Sequence, residues 1–375
     1  GTFAHLPPTG AELDKFDGAW AGVEQRFAWT PRDWVRVTVG GEFQQHFLVH
    51  QFAEDEQQHS RPDGSSSGTT FLDDDRRFQV GAVYALADFT PSEKTKISAG
   101  ARLDTYSTFG SSINPRAAVV FKPYDGGNVK IMGGKAFRAP SIYELFYRAS
   151  IGQITNPNLS PEDIYSGEIE YSHRFNNTTS ALVAGYANYI KNLIALRSLE
   201  NDPSTYQYQN TGTPVMTVGG EVELRREWKE GWMVAATYSL QRSQYMRSDS
   251  LGDIFSFAKN PNLREVPNAP SQLASFKGAV PILSRALVAM TRLTLEGPRY
   301  DRNDAIDNPP QTKTDAAVIW DLMLSGVEPR WGVRYALGFY NLFDWRWYAP
   351  VSTEFRQNTI VQPGRTVLAS VSATF

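Results

Sequence analysis

Runs in which apolar and polar residues alternate with a period of two recur along the whole chain. In residues 96–104 one face reads Ile97, Ala99, Ala101, Leu103 and the other Lys96, Ser98, Gly100, Arg102, Asp104. In residues 218–225, Val218, Gly220, Val222 and Leu224 alternate with Gly219, Glu221, Glu223 and Arg225. Period two is strand geometry, because successive side chains of a strand point to opposite faces. Fifteen such segments can be read, at about 18–29, 34–51, 77–89, 95–107, 113–122, 128–137, 164–175, 180–196, 207–225, 232–246, 269–280, 286–296, 316–328, 333–342 and 365–375. Their connections alternate in length. Short links at 30–33, 90–94, 123–127, 176–179, 227–231, 282–285 and 329–332 are rich in Pro, Gly, Asn and Asp, which is turn chemistry. Long links run over 52–76, 138–163, 197–206, 247–268, 297–315 and 343–364, and only 108–112 breaks the alternation.

A soluble sandwich has no physical reason to gather its tight turns at one end. A transmembrane antiparallel β-barrel does, since its turns on one side of the membrane are short and its loops on the other are long. Aromatics are 13% of the residues, and Trp29, Trp34, Tyr124, Trp228, Trp232 and Trp331 flank the short links as an interfacial girdle would. Mean hydropathy is nevertheless −0.39, and no run approaches the ~18 apolar residues of a membrane helix. The expected fold is therefore all-β, with one lipid face and one wet face.

Charge and composition exclude several classes. Thirty-seven basic and 40 acidic residues leave a net charge of −3, so no global field recruits nucleic acid. Without cysteine there is no disulfide, thiolate metal site or thiol nucleophile. The five histidines show no zinc-ligand spacing; His46 and His50, four apart, share a face only on a helix, and their surroundings alternate like a strand. Asp73, Asp74 and Asp75, near Glu54, Asp55 and Glu56, are weak calcium candidates, for which a solvated acidic loop is the simpler reading. The stretch PDGSSSG at 62–68 reads as a flexible loop. No cofactor is implied. The chain opens on Gly1 without an apolar leader, which suggests a mature product or a fragment.

Three stretches are more specific than periodicity: GGKAFRAPSIYE at 133–144, NPNLSPE at 156–162, and YNLFDWRWY at 340–348 followed by PGR at 363–365 and a strand ending on Phe375. In that order they resemble the carboxy-terminal half of TonB-dependent outer-membrane receptors, the family of the vitamin B12 and catecholate siderophore receptors. The resemblance covers residues 129–375. It implies a bacterial outer-membrane location, a 22-stranded barrel around an amino-terminal plug, contact with the TonB complex through that plug, and a small-molecule cargo. For Phe137, Arg138, Pro140, Asn158, Pro161, Asn341, Gly364 and Phe375 it implies barrel-building roles. Fifteen strands are too few for such a barrel, and no plug-like region precedes the first. The first and last strands would run the same way, so closing them together would need a parallel seam. The expectation is that residues 1–375 are the carboxy-terminal portion of a receptor barrel. A companion chain or segment would supply the plug and roughly seven further strands.

Charged residues on the wet face, Arg102, Asp104, Glu168, Glu170, Glu221, Glu223, Arg225, Arg292 and Glu296, are expected to face the lumen and plug. Outer-loop aromatics Tyr143, Phe146, Tyr147, Tyr206, Tyr208, Tyr300, Trp345, Trp347, Tyr348 and Phe355 are candidates for cargo contact by stacking, or for plain loop packing. Energised uptake of a scarce nutrient is the leading reading, with siderophore-iron or cobalamin as cargo classes. The alternative is a structural or adhesive outer-membrane scaffold. A soluble β hydrolase is disfavoured, because Glu221 and Glu223 sit two apart on one strand and do not face each other across a cleft.

Overall fold

A computed structural model describes residues 11–56, 69–149, 152–246, 265–283, 286–301, 313–351 and 357–374. Its first third contains β1 (Ala11–Arg32), β2 (Val35–Glu56), the short β3 (Thr69–Asp75), β4 (Phe78–Ser92), β5 (Thr95–Tyr106), β6 (Gly110–Phe121) and β7 (Gly127–Arg138). A five-residue helix α1 (Ile142–Phe146) and β8 (Gln153–Ile154) follow, then β9 (Glu162–Arg174), β10 (Thr179–Lys191), β11 (Ile194–Leu199), β12 (Asp202–Asn210) and β13 (Val215–Glu227). The remainder contains β14 (Met233–Tyr245), β15 (Gln272–Leu283), β16 (Leu287–Glu296), β17 (Ala317–Glu328), β18 (Val333–Tyr340), β19 (Tyr348–Pro350), β20 (Thr359–Val361) and β21 (Thr366–Ala373).

Fifteen strands form one hydrogen-bonded order, β1-β2-β4-β5-β6-β7-β9-β10-β13-β14-β15-β16-β17-β18-β21, with β3 added to β2. Each of the fifteen alternating segments contains one of these strands, and each neighbour in the order is the next long strand in the chain. The chain divides into two compact units. One comprises residues 1–118, 133–165 and 190–214, and the other 119–132, 166–189 and 215–375. In the first, β2 pairs antiparallel with β1 and β4, and β4 with β5. In the second, β13 through β18 and then β21 pair successively and antiparallel.

The two faces of these strands are inverted relative to a soluble sheet. Val83 is 59%, Ile169 55% and Leu224 53% exposed, whereas Asp104 is 4% and Asp321 7% exposed. Water would punish this arrangement, since a soluble monomer rarely displays a large continuous apolar surface. Lipid rewards it. Trp29, Trp34, Tyr124, Trp232 and Trp331 are exposed beside the short turns, as the girdle reading expects. Trp228 is half-buried, with the Arg226 guanidinium 4.5 Å over its ring.

Glycine serves the enclosed face by letting tyrosines cross a strand. Tyr84 on β4 lies over Gly40 of β2, where a Cβ would fall 2.3 Å from its ring, and its hydroxyl donates to Glu24 of β1 at 2.6 Å. Tyr186 on β10 crosses Gly219 of β13 in the same way, and its hydroxyl donates to Gln241 of β14 at 3.2 Å.

Several boundaries depart from the sequence reading. Segment 180–196 is two strands, broken where Asn192 adopts a left-handed φ of 55°. Segment 207–225 likewise divides into β12 and β13, so the long link spans the whole interval between β10 and β13. Within it β11 and β12 form a hairpin, which β8 joins in parallel as a separate three-stranded sheet. The acidic run Asp73–Asp75 lies in a strand, not a loop: β3 pairs with the outer end of β2. The PDGSSSG stretch and Phe375 fall outside the described residues.

Candidate functional site

The enclosed face of the first unit carries a lattice of ion pairs. Arg102 on β5 reaches Glu42 on β2 and Asp104 on its own strand, both at 2.7 Å. Asn114 donates to the other Asp104 oxygen at 3.2 Å. Beside this lattice is a cavity of about 640 Å³ whose walls include Glu24, Tyr84, Tyr106, Arg116, Lys135 and Phe137. Lys135 is held by Asp163 at 2.7 Å. In the second unit Glu170 pairs with Lys130 at 2.7 Å, Arg292 with Asp321 at 2.6 Å and Glu296 with Arg299 at 2.5 Å. Arg225 pairs with Glu227. Glu168, Glu221 and Glu223 occupy the same face and form no ion pair among the described residues. All nine charges alternate with the apolar positions of their strands, and six of them pair across strands or locally.

The described residues of the long link after β7 build a packed platform. Ser141 caps α1, with its hydroxyl accepting from the Glu144 backbone at 3.1 Å while the Ser141 N–H donates back to the Glu144 carboxylate at 2.8 Å. Arg138 donates to both Glu144 oxygens at 3.0 Å and to Glu162 at 2.7 Å. Glu162, 5% exposed, also accepts from the Ile194 N–H at 2.8 Å, which fixes the start of the β11–β12 hairpin. Burial is the largest influence on Glu144 and opposes its charge. The Arg138 guanidinium and the Ser141 donors together outweigh burial and hold its carboxyl below the ordinary value of 4.5. Leu145, Leu159 and Ile194 form the apolar centre, and Asn210 ties the hairpin to Ser160 and Asn192 through its side-chain amide, at 2.8 Å each. Sequence reasoning missed these joints. Their only signal was paired charge within the two motifs, Arg138 and Glu144 in one and Glu162 in the other.

The expected loop aromatics divide by environment. Tyr143 stacks on Tyr147 at 4.4 Å and meets Tyr208 edge-on at 6.0 Å; Tyr147 is 4% exposed and donates to Asp14 at 3.1 Å. Phe146 packs into the Leu145 cluster under the Arg76 guanidinium. These four rings hold the platform together. Tyr300 lies under the Lys313 ammonium at 4.3 Å and Trp347 is half-buried. Tyr206, Trp345 and Tyr348 remain exposed, and Phe355 lies outside the described residues. The acidic run does not converge on a cation: Asp73 pairs with His50, Asp74 with Arg76 and Asp75 with Arg77. His46 stacks on Phe78 at 4.0 Å.

The terminal motif is a clasp. Asn341 accepts from the Trp345 N–H at 2.8 Å and donates to the Trp345 and Pro363 carbonyls at 3.0 and 3.3 Å, while its own N–H reaches Asp321 at 3.0 Å. Asp344 accepts from the Arg365 N–H at 2.9 Å across Gly364, where a Cβ would meet that carboxylate at 2.7 Å. The residues given barrel-building roles here therefore join β18 to β21.

Comparison with known proteins agrees with this architecture. The family model "TonB dependent receptor-like, beta-barrel" matches residues 6–342. The vitamin B12 transporter BtuB of Vibrio cholerae is 32% identical over 114 residues, which make up 30% of this chain and 17% of that protein. Among solved structures, the copper transporter OprC aligns with a TM-score of 0.71 at 17% identity, covering 97% of this chain and 57% of OprC. FpvA of P. aeruginosa, bound to a heterologous pyoverdine and iron, aligns with a TM-score of 0.70 at 15% identity, covering 98% and 50%. The chain thus spans about half the length of these structural relatives, and their likeness concerns the fold. With the family model spanning nearly all of its strands, the chain belongs to the outer-membrane TonB-dependent receptor β-barrel family, a family of receptors and transporters and not of enzymes.

Proposed function

We propose that the chain forms wall and cargo-facing loops of a receptor for energised uptake of a scarce nutrient, a siderophore-bound metal, a corrinoid or a molecule of similar size. The inside-out strand faces, with the links after β7 and β10 packed into one platform, are the observation that carries the reading. A polar plug suits the charged face, where Glu168, Glu221 and Glu223 offer carboxylates to basic partners. Tyr206, Trp345 and Tyr348 offer exposed rings for cargo stacking.

The edges of the sheet support a further part of this reading. β1 and β21 end the strand order, and in an alternating order of fifteen they run the same way. Open backbone edges cost several kcal/mol per unpaired group in lipid. Further strands, on the same or a companion polypeptide that also carries the plug and the TonB contact, would lie between these two edges. Deleting the gene and measuring growth with chelated iron, or with cobalamin as the required nutrient, tests the function. Loss of uptake of one such cargo, reproduced by removing TonB, is expected. Unchanged uptake of both cargo classes would contradict it.

A further inference from the structure

On the enclosed face of the second unit, near the short-turn end, one lateral row is apolar. Met233 of β14 faces Ala279 of β15, Ala279 faces Met290 of β16, and Met290 faces Met323 of β17. The row continues through Gly338 of β18 to Leu368 of β21. It shares its face with the charged ladder beside it, because Ala279, Met290 and Met323 each lie two positions from Lys277, Arg292 and Asp321. Three of the chain's six methionines thus stand in one row where a barrel interior calls for polar groups.

The three methionines line a cavity of about 330 Å³ together with Lys277, Arg292 and Tyr340. Tyr340 can close one side because position 338 is glycine, where a Cβ would stand 2.8 Å from its ring. The lining is open to a partner: the methionines and Tyr340 are half-buried, Lys277 and Arg292 are exposed, and Leu368 at the end of the row is 61% exposed. The two cations at the rim differ. Arg292 is closed onto Asp321 at 2.6 Å. Lys277 has no ion pair among the described residues, and its ladder partners are Ala235 and Arg292.

Covering an ammonium without a counter-charge is costly, so a partner seated here must bring a carboxylate. Thioethers adapt to irregular shapes and make favourable contacts with aromatic rings. The volume lies at the low end of the ~300–1,000 Å³ of small-molecule pockets, which suits one large side chain better than a metal-bound siderophore or corrinoid. We propose that this hollow seats an aromatic side chain of the plug, with a neighbouring plug carboxylate on Lys277. The inference rests on the reading that a plug fills the receptor, and it specifies that plug's chemistry at one place. The plug is aromatic and acidic against β14–β17, whereas Glu168, Glu221 and Glu223 call for basic groups.

The test uses the full-length receptor in outer-membrane lipid. Hydroxyl-radical footprinting compares its methionines, with Met216 and Met246, 3% and 1% exposed, as enclosed standards. A carbodiimide, which condenses an amine with a carboxylate in contact and releases water, is then used to join Lys277 to the plug, and mass spectrometry locates the joined residue. Met233, Met290 and Met323 are expected to oxidise as slowly as the standards, and Lys277 to be joined to a plug Asp or Glu close to an aromatic residue. Lys277→Gln should lose that link while the methionines stay shielded. Faster oxidation of the row than of the standards, or no link from Lys277 in the unaltered receptor, would overturn the proposal. Labelling of Glu168, Glu221 and Glu223 by a small amine separates this failure from that of the plug reading. If those carboxylates stay shielded while the methionine row reacts, the plug is seated elsewhere and this inference alone fails. If carboxylates and methionines both react as freely as in the denatured receptor, the lumen is open and the plug reading fails with it.

Discussion

Arg138 shows how one residue joins motifs that lie apart in sequence. Its guanidinium serves Glu144 in the same motif and Glu162 in the next, and Glu162 in turn holds Ile194. Arg138→Met leaves the enclosed Glu162 carboxylate without its cation, an expected cost of about 1–3 kcal/mol. Hydrogen exchange should show faster opening of residues 142–162 and 194–210 while the strands keep their protection. Arg138→Lys should restore only part of it, because an ammonium is a point charge without the planar fork that serves both carboxylates. Acid should weaken the same platform. Glu144 has a depressed pKa, so its contribution is complete above its ordinary value of 4.5 and is lost as the pH falls through the lowered one. Exchange in residues 142–162 should therefore rise below that point after correction for intrinsic rates, and an acid-independent platform would refute the assignment.

At the scale of the element, adjacent side chains on a strand should tolerate charge in opposite ways. In β14, Ala236 faces Leu224 and Phe276 across its two ladders on the exposed apolar face, while Thr237 faces Glu223 on the wet face. Ala236→Arg near mid-membrane should cost about 2–4 kcal/mol of folding stability in bilayers. Thr237→Arg, opposite a carboxylate, should cost close to nothing. Denaturant titration of the two variants in the same lipid checks both, and equal costs would contradict the face assignment. This contrast was readable in advance because period two and turn chemistry are local. What local pattern could not reveal lay above the membrane. β1 and β2 each run 22 residues, beyond the apolar alternation that marks the lipid band, and their outer ends, rich in charge on both faces, carry no one-sided signal. The β11–β12 hairpin was hidden for a related reason. Its residues continue to alternate, and the break at Asn192 is held by the Asn210 side chain 18 positions away. The motifs around Arg138 and Asn341 were visible as motifs, but the partners that give them their structural work come from distant strands and hairpins.

For the whole molecule, the central claim is that the links after β7 and β10 stand outside the cell while the tight turns after β1, β4, β6, β9, β13 and β17 face the periplasm. Strand direction follows from that single orientation, as do the outer position of the platform and the place of the exposed tryptophans beside the turns. The absence of cysteine makes the claim directly measurable. Asn201→Cys places one thiol between β11 and β12, and Lys229→Cys places one in the turn between β13 and β14; both positions are exposed. The decisive measurement is labelling of each variant in intact cells with a polyethylene-glycol maleimide too large to cross the outer membrane. The account predicts that Asn201→Cys is labelled in intact cells and Lys229→Cys only after the membrane is permeabilised. Labelling of Lys229→Cys in intact cells, with Asn201→Cys protected, would contradict it.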